Sequence, residues 1–148
     1  FSLALACDTR IASESAFFVC AYGRIGASPD GGMTYFLPRV VGPSRALELL
    51  LEDPNMDAAR ALEEGLVRKV VAPEELMDAA RAKAEKLAAK APHYVRMSKL
   101  LAGVSLENSL TEHLQLERHG IADSMATEDL QAGVVAFFGG EKPSWTGR

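Results

Sequence analysis

The residue that most suggests chemistry in this sequence is an acid in a glycine-rich turn. Asp30 follows Pro29 and precedes Gly31 and Gly32, within the stretch GRIGASPDGGMTYFLPRVVG of residues 23–42. Proline fixes φ and glycine accepts φ > 0, so residues 29–32 predict a tight turn. The apolar run at 33–37 predicts a helix after it. Asp30 is then either a carboxylate at the entrance to a pocket or the N-cap of that helix.

Other common catalytic patterns are missing from the sequence. It has no Gly-x-Ser-x-Gly elbow, no Gly-x-x-x-x-Gly-Lys phosphate loop and no dinucleotide fingerprint. Cys7, Cys20 and the three histidines lack the spacing of metal ligands, so we predict no metal site. What remains is the glycine-rich segment 23–32, where backbone N–H groups could approach a ligand closely. Such a segment can equally be a plain connection between a strand and a helix.

Composition narrows the class of protein. The chain has 148 residues, enough for one domain with a sizeable core, and its formal charge of −4 gives no general attraction to nucleic acid or anionic membranes. No apolar run reaches the roughly 18 residues of a membrane span. Two cysteines make no disulfide scaffold, so we expect a reducing cytoplasm. Because the sequence opens on Phe1 in an apolar run without an initiator methionine, we also expect it to be a fragment.

The elements that must position Asp30 lie in the strand- and glycine-rich first part of the chain. Pro38 is expected to end or kink the helix at 33–37, and Ser44 to cap the following helix, 45–51. Asp57 is expected to cap another, ending near Gly65. The other predicted elements here are a buried helix at 2–7, strands at 8–12 and 16–21 around a turn at 13–15, loops at 23–32 and 53–55, and a strand at 66–71.

The remainder of the sequence is mostly helical. Its pattern predicts a core layer followed by a helical extension, an arrangement that often serves assembly. The predicted helices cover 73–89, 92–102, 106–121 and 127–138, and the tail from 139 to 148 is expected to be polar and loose.

Three blocks, in this order, strongly resemble the enoyl-CoA hydratase/isomerase family, also called the crotonase family. They are LALACDTRIASESAFF, RIGASPDGGMTYFLPRVVG and ARALEEGLVRKVV, and the ending AFFGGEKPSWTGR is also similar. The resemblance implies an α/β fold: a β-β-α spiral core, here incomplete over residues 1–72, and a helical C-terminal region over 73–148 that forms homotrimers or hexamers. It places the oxyanion-hole N–H groups before Phe1, so we expect this fragment alone to be inactive.

The resemblance also implies roles for individual residues. Hydratases of the family use two glutamates, and these positions fall at Ser2 and Tyr22, neither of which is a carboxylate. The layout around Asp30 is similar to isomerases of the phenylacetate-pathway ring-epoxide/oxepin type and to some Δ3,Δ2-enoyl-CoA isomerases, in which this acid shuttles the proton.

The other expected site residues form the surroundings of that acid. Ile25, Gly31 and Met33 are expected to line the substrate pocket with Ser2 and Tyr22. Phe137 is either a contact to the CoA adenine of a neighbouring subunit or an aromatic on the core face of the last helix.

The sequence therefore predicts an acyl-CoA enzyme that works through a thioester enolate, with Asp30 as the single acid/base of a double-bond isomerisation. CoA would arrive as part of the substrate, and no other cofactor is expected. An enoyl-CoA hydratase working without the usual glutamates is the alternative enzyme. A family member that binds acyl-CoA without turning it over is the alternative from another class.

Overall fold

The computed structural model describes all 148 residues, which form two compact units, 1–81 and 82–148. No helix combines the length and the hydropathy needed to span a bilayer. The strands are β1 (Ile11–Ser13), β2 (Phe17–Phe18), β3 (Met56–Asp57) and β4 (Lys69–Val71). The helices are α1 (Ser2–Leu5), α2 (Met33–Val41), α3 (Pro43–Glu52), α4 (Ala58–Glu63), α5 (Leu76–Ala88), α6 (Pro92–Val104), α7 (Leu110–Met125) and α8 (Glu128–Gly139).

The predicted strands are present but short, and the first two do not pair with each other. β1 runs parallel to β4, with Ala12 opposite Val70. β2 instead pairs antiparallel with β3, with Phe17 opposite Asp57. The turn between β1 and β2 therefore sends the chain from one two-stranded sheet to another, because each strand finds its partner far along the sequence.

The core of the first unit is built mainly from helix faces. Leu37 of α2 is 0% exposed and Leu49 of α3 is 2% exposed, while Leu66 and Val67, which follow α4, are 0% and 1% exposed. Of α1, only Leu5 is buried, and Leu3 on the same helix is 82% exposed. The prediction of a helix buried on every side at 2–7 is therefore wrong within this chain.

Two predicted helix boundaries are also wrong. α2 continues through Pro38 to Val41, so Pro38 does not end the helix. A proline inside a helix costs one backbone hydrogen bond, which burial of the neighbouring Leu37 in the core helps to offset. α3 begins at Pro43, so Ser44 lies inside the helix and Gly42 occupies the N-cap. Proline fits the first helical turn, where its missing N–H would have no partner anyway. The predicted cap by Asp57 is confirmed, since its side chain accepts from the Arg60 N–H at 2.8 Å.

The second unit contains α6, α7, α8 and a C-terminal tail that is held in place. The N-terminus of α7 carries a capping box formed by Ser109 and Glu112. In the tail, Thr146 N–H and Gly147 N–H donate to the carboxylate of Asp129, at 2.6 and 3.0 Å, and the Trp145 indole N–H donates to the Ala89 carbonyl at 3.0 Å. The prediction of a loose tail is therefore wrong, because the carboxylate of Asp129, a residue only 2% exposed, accepts the first two of these hydrogen bonds and Ala89 accepts the third.

Candidate active site

Three residues predicted to share a site lie within hydrogen-bonding distance of one another. The Ser2 hydroxyl is 2.9 Å from the Tyr22 hydroxyl, and the Tyr22 hydroxyl donates to Oδ1 of Asp30 at 3.0 Å. The Ser2 hydroxyl also lies 3.2 Å from the Asp30 carbonyl oxygen. We call these three residues the Ser2–Tyr22–Asp30 cluster. Residues 20 and 28 positions away from Ser2 in sequence are thus brought to one point.

The three residues of the cluster lie on three different short segments of the chain. Ser2 is the first residue of α1, Tyr22 precedes a 3-10 turn at Gly23–Ile25, and Asp30 lies in the turn before α2. Gly31 adopts φ +59°, and a Cβ there would lie 3.0 Å from the Ser2 Cβ. The glycine therefore allows the turn to pass directly against Ser2, which keeps the Asp30 backbone in reach of that hydroxyl.

The helix-cap interpretation of Asp30 is wrong. Gly32 is the N-cap residue of α2, and no side chain caps this helix. Asp30 supports the turn through its backbone carbonyl, which accepts from the Met33 N–H at 3.0 Å. Its side chain accepts from Tyr22 instead, so the carboxylate is not used to start the helix.

The direction of the hydrogen bonds follows from the chemistry of the groups. An ionised carboxylate only accepts, so Tyr22 donates its single proton to Oδ1 of Asp30. The Ser2 hydroxyl can then donate to the Tyr22 oxygen. This order leaves Oδ2 of Asp30, an exposed residue, without a hydrogen bond from the chain. One carboxylate oxygen is thereby fixed, and the other is open to a ligand.

The remaining predicted site residues lie in different surroundings. Met33 is 1% exposed and belongs to the hydrophobic core, whereas Ile25 is 80% exposed. The pocket-lining roles of Ile25 and Met33 stay predictions. Phe137 is 80% exposed and packs edge-to-face against Phe138, with ring centroids 5.5 Å apart, so the core-face interpretation of its side chain is wrong within this chain.

A second polar network involves Ala21 and Arg24, which flank Tyr22 in the sequence. Asp53 accepts from the Ala21 N–H at 2.8 Å and from the Arg24 Nε at 2.6 Å. The Ala21 N–H, and then the Arg24 guanidinium, hold the pKa of the Asp53 carboxyl below its usual value. Burial raises the pKa of the Cys20 thiol, and the nearby Asp53 charge adds to the effect. Arg24 and Asp53 thus form a salt bridge, and nothing in the sequence pattern singled out Asp53 as the partner of Arg24.

The second unit contains a largely apolar groove of about 830 Å³. Phe137, Phe138 and Trp145 line it together with His93 and Lys142. No group of three or more acidic, histidine or cysteine side chains in the structure could hold a metal ion.

The sequence profile of the family described as "Enoyl-CoA hydratase/isomerase" matches residues 1–148. The chain belongs to this family. It is 39% identical over 146 residues to a "Probable enoyl-CoA hydratase" of Rhizobium meliloti, covering 99% of this chain and 57% of that protein. It is 36% identical over 135 residues to the "Crotonyl-CoA hydratase" of Syntrophomonas wolfei, covering 91% of this chain and 52% of that protein.

Solved structures give the same result for the fold of the family. The crystal structure of an enoyl-CoA hydratase from Bacillus anthracis matches with a TM-score of 0.91 at 35% identity, over 97% of this chain and 56% of that chain. The predicted crotonase fold is confirmed, and the chain spans little more than half the length of these family members. The division at residues 72/73 and the phenylacetate-type placement within the family stay predictions.

Proposed function

We propose that the intact protein carrying this chain is an acyl-CoA enzyme that moves the double bond of an enoyl-CoA, with Asp30 as its acid/base. The observation that carries the proposal is the composition of the Ser2–Tyr22–Asp30 cluster, which holds one carboxylate and two hydroxyls. Carboxylates are common proton-transfer groups near neutral pH, whereas serine and tyrosine hydroxyls are poor bases without an activating partner. Proton transfer in this cluster therefore falls to Asp30.

The proposed reaction needs a single base. Asp30 removes a proton from C2 of a 3-enoyl thioester, and the electron pair delocalises over C2–C4 and the thioester oxygen. The same carboxyl group returns the proton at C4, so the double bond moves from C3–C4 to C2–C3 and no atom is gained or lost. Backbone N–H donors aimed at the thioester oxygen, which the family resemblance implies, would stabilise the enolate by a few kcal/mol each.

The geometry supports a defined part for Tyr22. Its hydroxyl donates a hydrogen bond to Oδ1 of Asp30, which leaves Oδ2 as the oxygen that exchanges the proton with the substrate. A carboxylate fixed by one such bond needs less reorganisation to reach the C2 proton, which favours reaction. The Pro-Asp-Gly-Gly sequence of residues 29–32, which places the acid directly after the proline, supports a place near the phenylacetate-type isomerases.

Hydration is the second candidate reaction. It is favoured by the names of the relatives, which are hydratases. It is disfavoured by the cluster, because hydration of the family type relies on a pair of carboxylates to position and deprotonate water. Ser2 and Tyr22 stand at those two positions and bond to each other at 2.9 Å.

The proposal includes a substrate class and an assembly. The substrate is an acyl-CoA thioester, and no cofactor besides its CoA is required by this chemistry. Assembly into a homotrimer or hexamer, with Phe137 near the CoA of a neighbouring subunit, is supported by apolar side chains that this chain leaves exposed. In the second unit these include Leu106, Leu110, Ile121, Met125, Val135, Phe137 and Phe138.

The test compares two reactions of the intact protein. We expect conversion of 3-hexenoyl-CoA to the 2-enoyl isomer to be faster than hydration of crotonyl-CoA, judged by kcat/KM. Faster hydration would favour the hydratase alternative. Binding of both thioesters without turnover of either would identify a family member that has lost catalysis and would overturn the proposal.

A further inference from the structure

The residue before Tyr22 has an unusual backbone. Ala21 adopts φ +64°, and only one other non-glycine residue of the chain, Asp53, has a positive φ. For a residue with a Cβ this left-handed conformation costs about 1 kcal/mol or more, so it persists only where neighbouring contacts impose it. Because Ala21 joins directly to Tyr22, its conformation sets the direction in which the tyrosine leaves the backbone.

The N–H of Ala21 donates to a carboxylate from another part of the chain. Oδ1 of Asp53 accepts from the Ala21 N–H at 2.8 Å, across 32 residues of sequence. The Asp53 side chain is only 9% exposed. A buried carboxylate that accepts a backbone N–H fixes that N–H in position, because leaving either group without a partner is costly.

Arg24 holds the carboxylate in turn. Its Nε donates to Oδ2 of Asp53 at 2.6 Å, and its NH2 group donates to the Asp53 carbonyl at 3.0 Å and to Asn55 Oδ1 at 2.9 Å. Arg24 and Ala21 thus lie on either side of Tyr22, and both are bonded to Asp53. The segment that carries Tyr22 is tied to the end of α3 at two points.

We propose that Asp53 is a positioning residue for the acid/base site, a role that rests on the proposed function. It makes no hydrogen bond to Ser2, Tyr22 or Asp30 and acts through the backbone at Ala21. By holding Ala21 in the left-handed conformation, Asp53 points the Tyr22 hydroxyl at Oδ1 of Asp30. Without it, the segment relaxes toward φ < 0, and the Tyr22–Asp30 bond lengthens or is lost.

The test uses three variants of the intact protein. Asp53→Gly removes the carboxylate but tolerates the positive φ of +46° at this position, so it does not add backbone strain. Asp53→Asn keeps an oxygen acceptor for the Ala21 N–H and tolerates the same backbone. Glu64→Gln is the matched control. It weakens the ion pair between Glu64 and Arg45, which lies in the same unit, and neither residue makes a hydrogen bond to the cluster.

We expect Asp53→Gly to lower kcat for 3-hexenoyl-CoA isomerisation about tenfold, the loss expected when the Tyr22–Asp30 hydrogen bond is removed, with KM changed less than about twofold. Asp53→Asn should retain kcat within about threefold, and Glu64→Gln should leave it unchanged. Unchanged kcat in Asp53→Gly, or an equal loss in Glu64→Gln, would overturn the positioning role.

A crystal structure of Asp53→Gly separates this proposal from the proposed function. The Tyr22 hydroxyl should move away from Asp30 as φ of residue 21 becomes negative. If φ and the Tyr22–Asp30 bond are both unchanged, the positioning role is wrong even where the enzyme is active. If the bond is lost while the wild-type protein isomerises no enoyl-CoA, Asp53 still positions Tyr22 but the proposed function fails.

Discussion

The Tyr22 hydroxyl connects the two other polar side chains of the candidate site. It bonds to Ser2 at 2.9 Å and donates to Asp30 at 3.0 Å, so its removal leaves the carboxylate free to rotate. We expect Tyr22→Phe to lower kcat for isomerisation about tenfold, the effect of one hydrogen bond worth ~1.4 kcal/mol in the transition state, with little change in KM.

A second tyrosine provides the control for this variant. Tyr94 lies on α6 and is 58% exposed, so Tyr94→Phe removes the same oxygen from a tyrosine that makes no hydrogen bond to the cluster. Its kcat should equal that of the wild type. Equal rates in Tyr22→Phe and the wild type would show that Tyr22 does not orient Asp30.

At this scale the sequence predicted the members of the cluster but not what holds them. The family resemblance predicted that Ser2, Tyr22 and Asp30 share one site. In the structure, oxygen atoms of the three residues lie within 3.2 Å of one another. Asp53 was not predictable, because its pairing with Ala21 depends on a backbone conformation that alanine rarely adopts. The burial of Met33 in the core was also not predictable, because the sequence pattern of an apolar residue is the same whether the residue lines a pocket or fills a core.

The turn before α2 is the element on which the site most depends. Gly32 adopts φ +80°, and a Cβ there would lie 2.7 Å from the Phe36 ring. We expect Gly32→Ala to lower the free energy of unfolding by about 1–3 kcal/mol, since it combines backbone strain with an overpacked contact. Urea unfolding of the intact protein measures this change.

A helical glycine serves as the control for the turn variant. A Cβ at Gly103 in α6 would meet nothing within 4 Å, and its φ is not positive. Gly103→Ala should therefore stabilise the protein by up to about 1 kcal/mol. A Gly32→Ala protein as stable as the wild type would show that the turn does not need a glycine at this position.

The sequence predicted the ends of helices correctly where local chemistry determines them, and incorrectly where tertiary packing determines them. The Asp57 cap and the stop at Gly65, with φ +73°, follow from side-chain and backbone preferences of those residues alone. The path of α2 through Pro38 instead follows from burial of Leu37, which is 0% exposed, and the separation of β1 from β2 follows from distant strand partners. Neither is visible in a local window of sequence.

At the scale of the second unit, the C-terminal tail is held by a titratable group. The Thr146 N–H, and then the Gly147 N–H, keep the pKa of the Asp129 carboxyl below its usual value. The folded tail therefore favours the charged carboxylate. This contribution to stability is fully present above the ordinary pKa of about 4 and is lost as pH falls through the lowered pKa of Asp129.

Fluorescence of Trp145, the one tryptophan of this chain, reports on the tail. Its indole donates to the Ala89 carbonyl at 3.0 Å. We expect its emission to shift to longer wavelength in Asp129→Asn at pH 7, and in the wild type only as pH falls below about 4. Glu128→Gln is the control, because Glu128 reaches the tail only through a 3.5 Å contact with Thr146 and should leave the emission unchanged. Identical spectra for Asp129→Asn and wild type would contradict this account of the tail.

For the molecule as a whole, the family and its fold followed from three ordered sequence blocks, and the comparisons confirm both. The tail was predicted poorly, because its polar residues are typical of a solvated end. Its order comes from Asp129, a buried acid near the start of α8 that the sequence analysis did not single out.

The central claim is that Asp30 moves the proton. The most direct test compares kcat/KM for isomerisation of 3-hexenoyl-CoA by the intact wild-type protein and its Asp30→Asn variant. The amide keeps the size of the side chain and can still accept from Tyr22, but it cannot take up a proton from C2. We predict a loss of at least about 100-fold, the usual contribution of a general acid/base. A variant that isomerises within about threefold of the wild-type rate would contradict the account and move the search for the base to another residue.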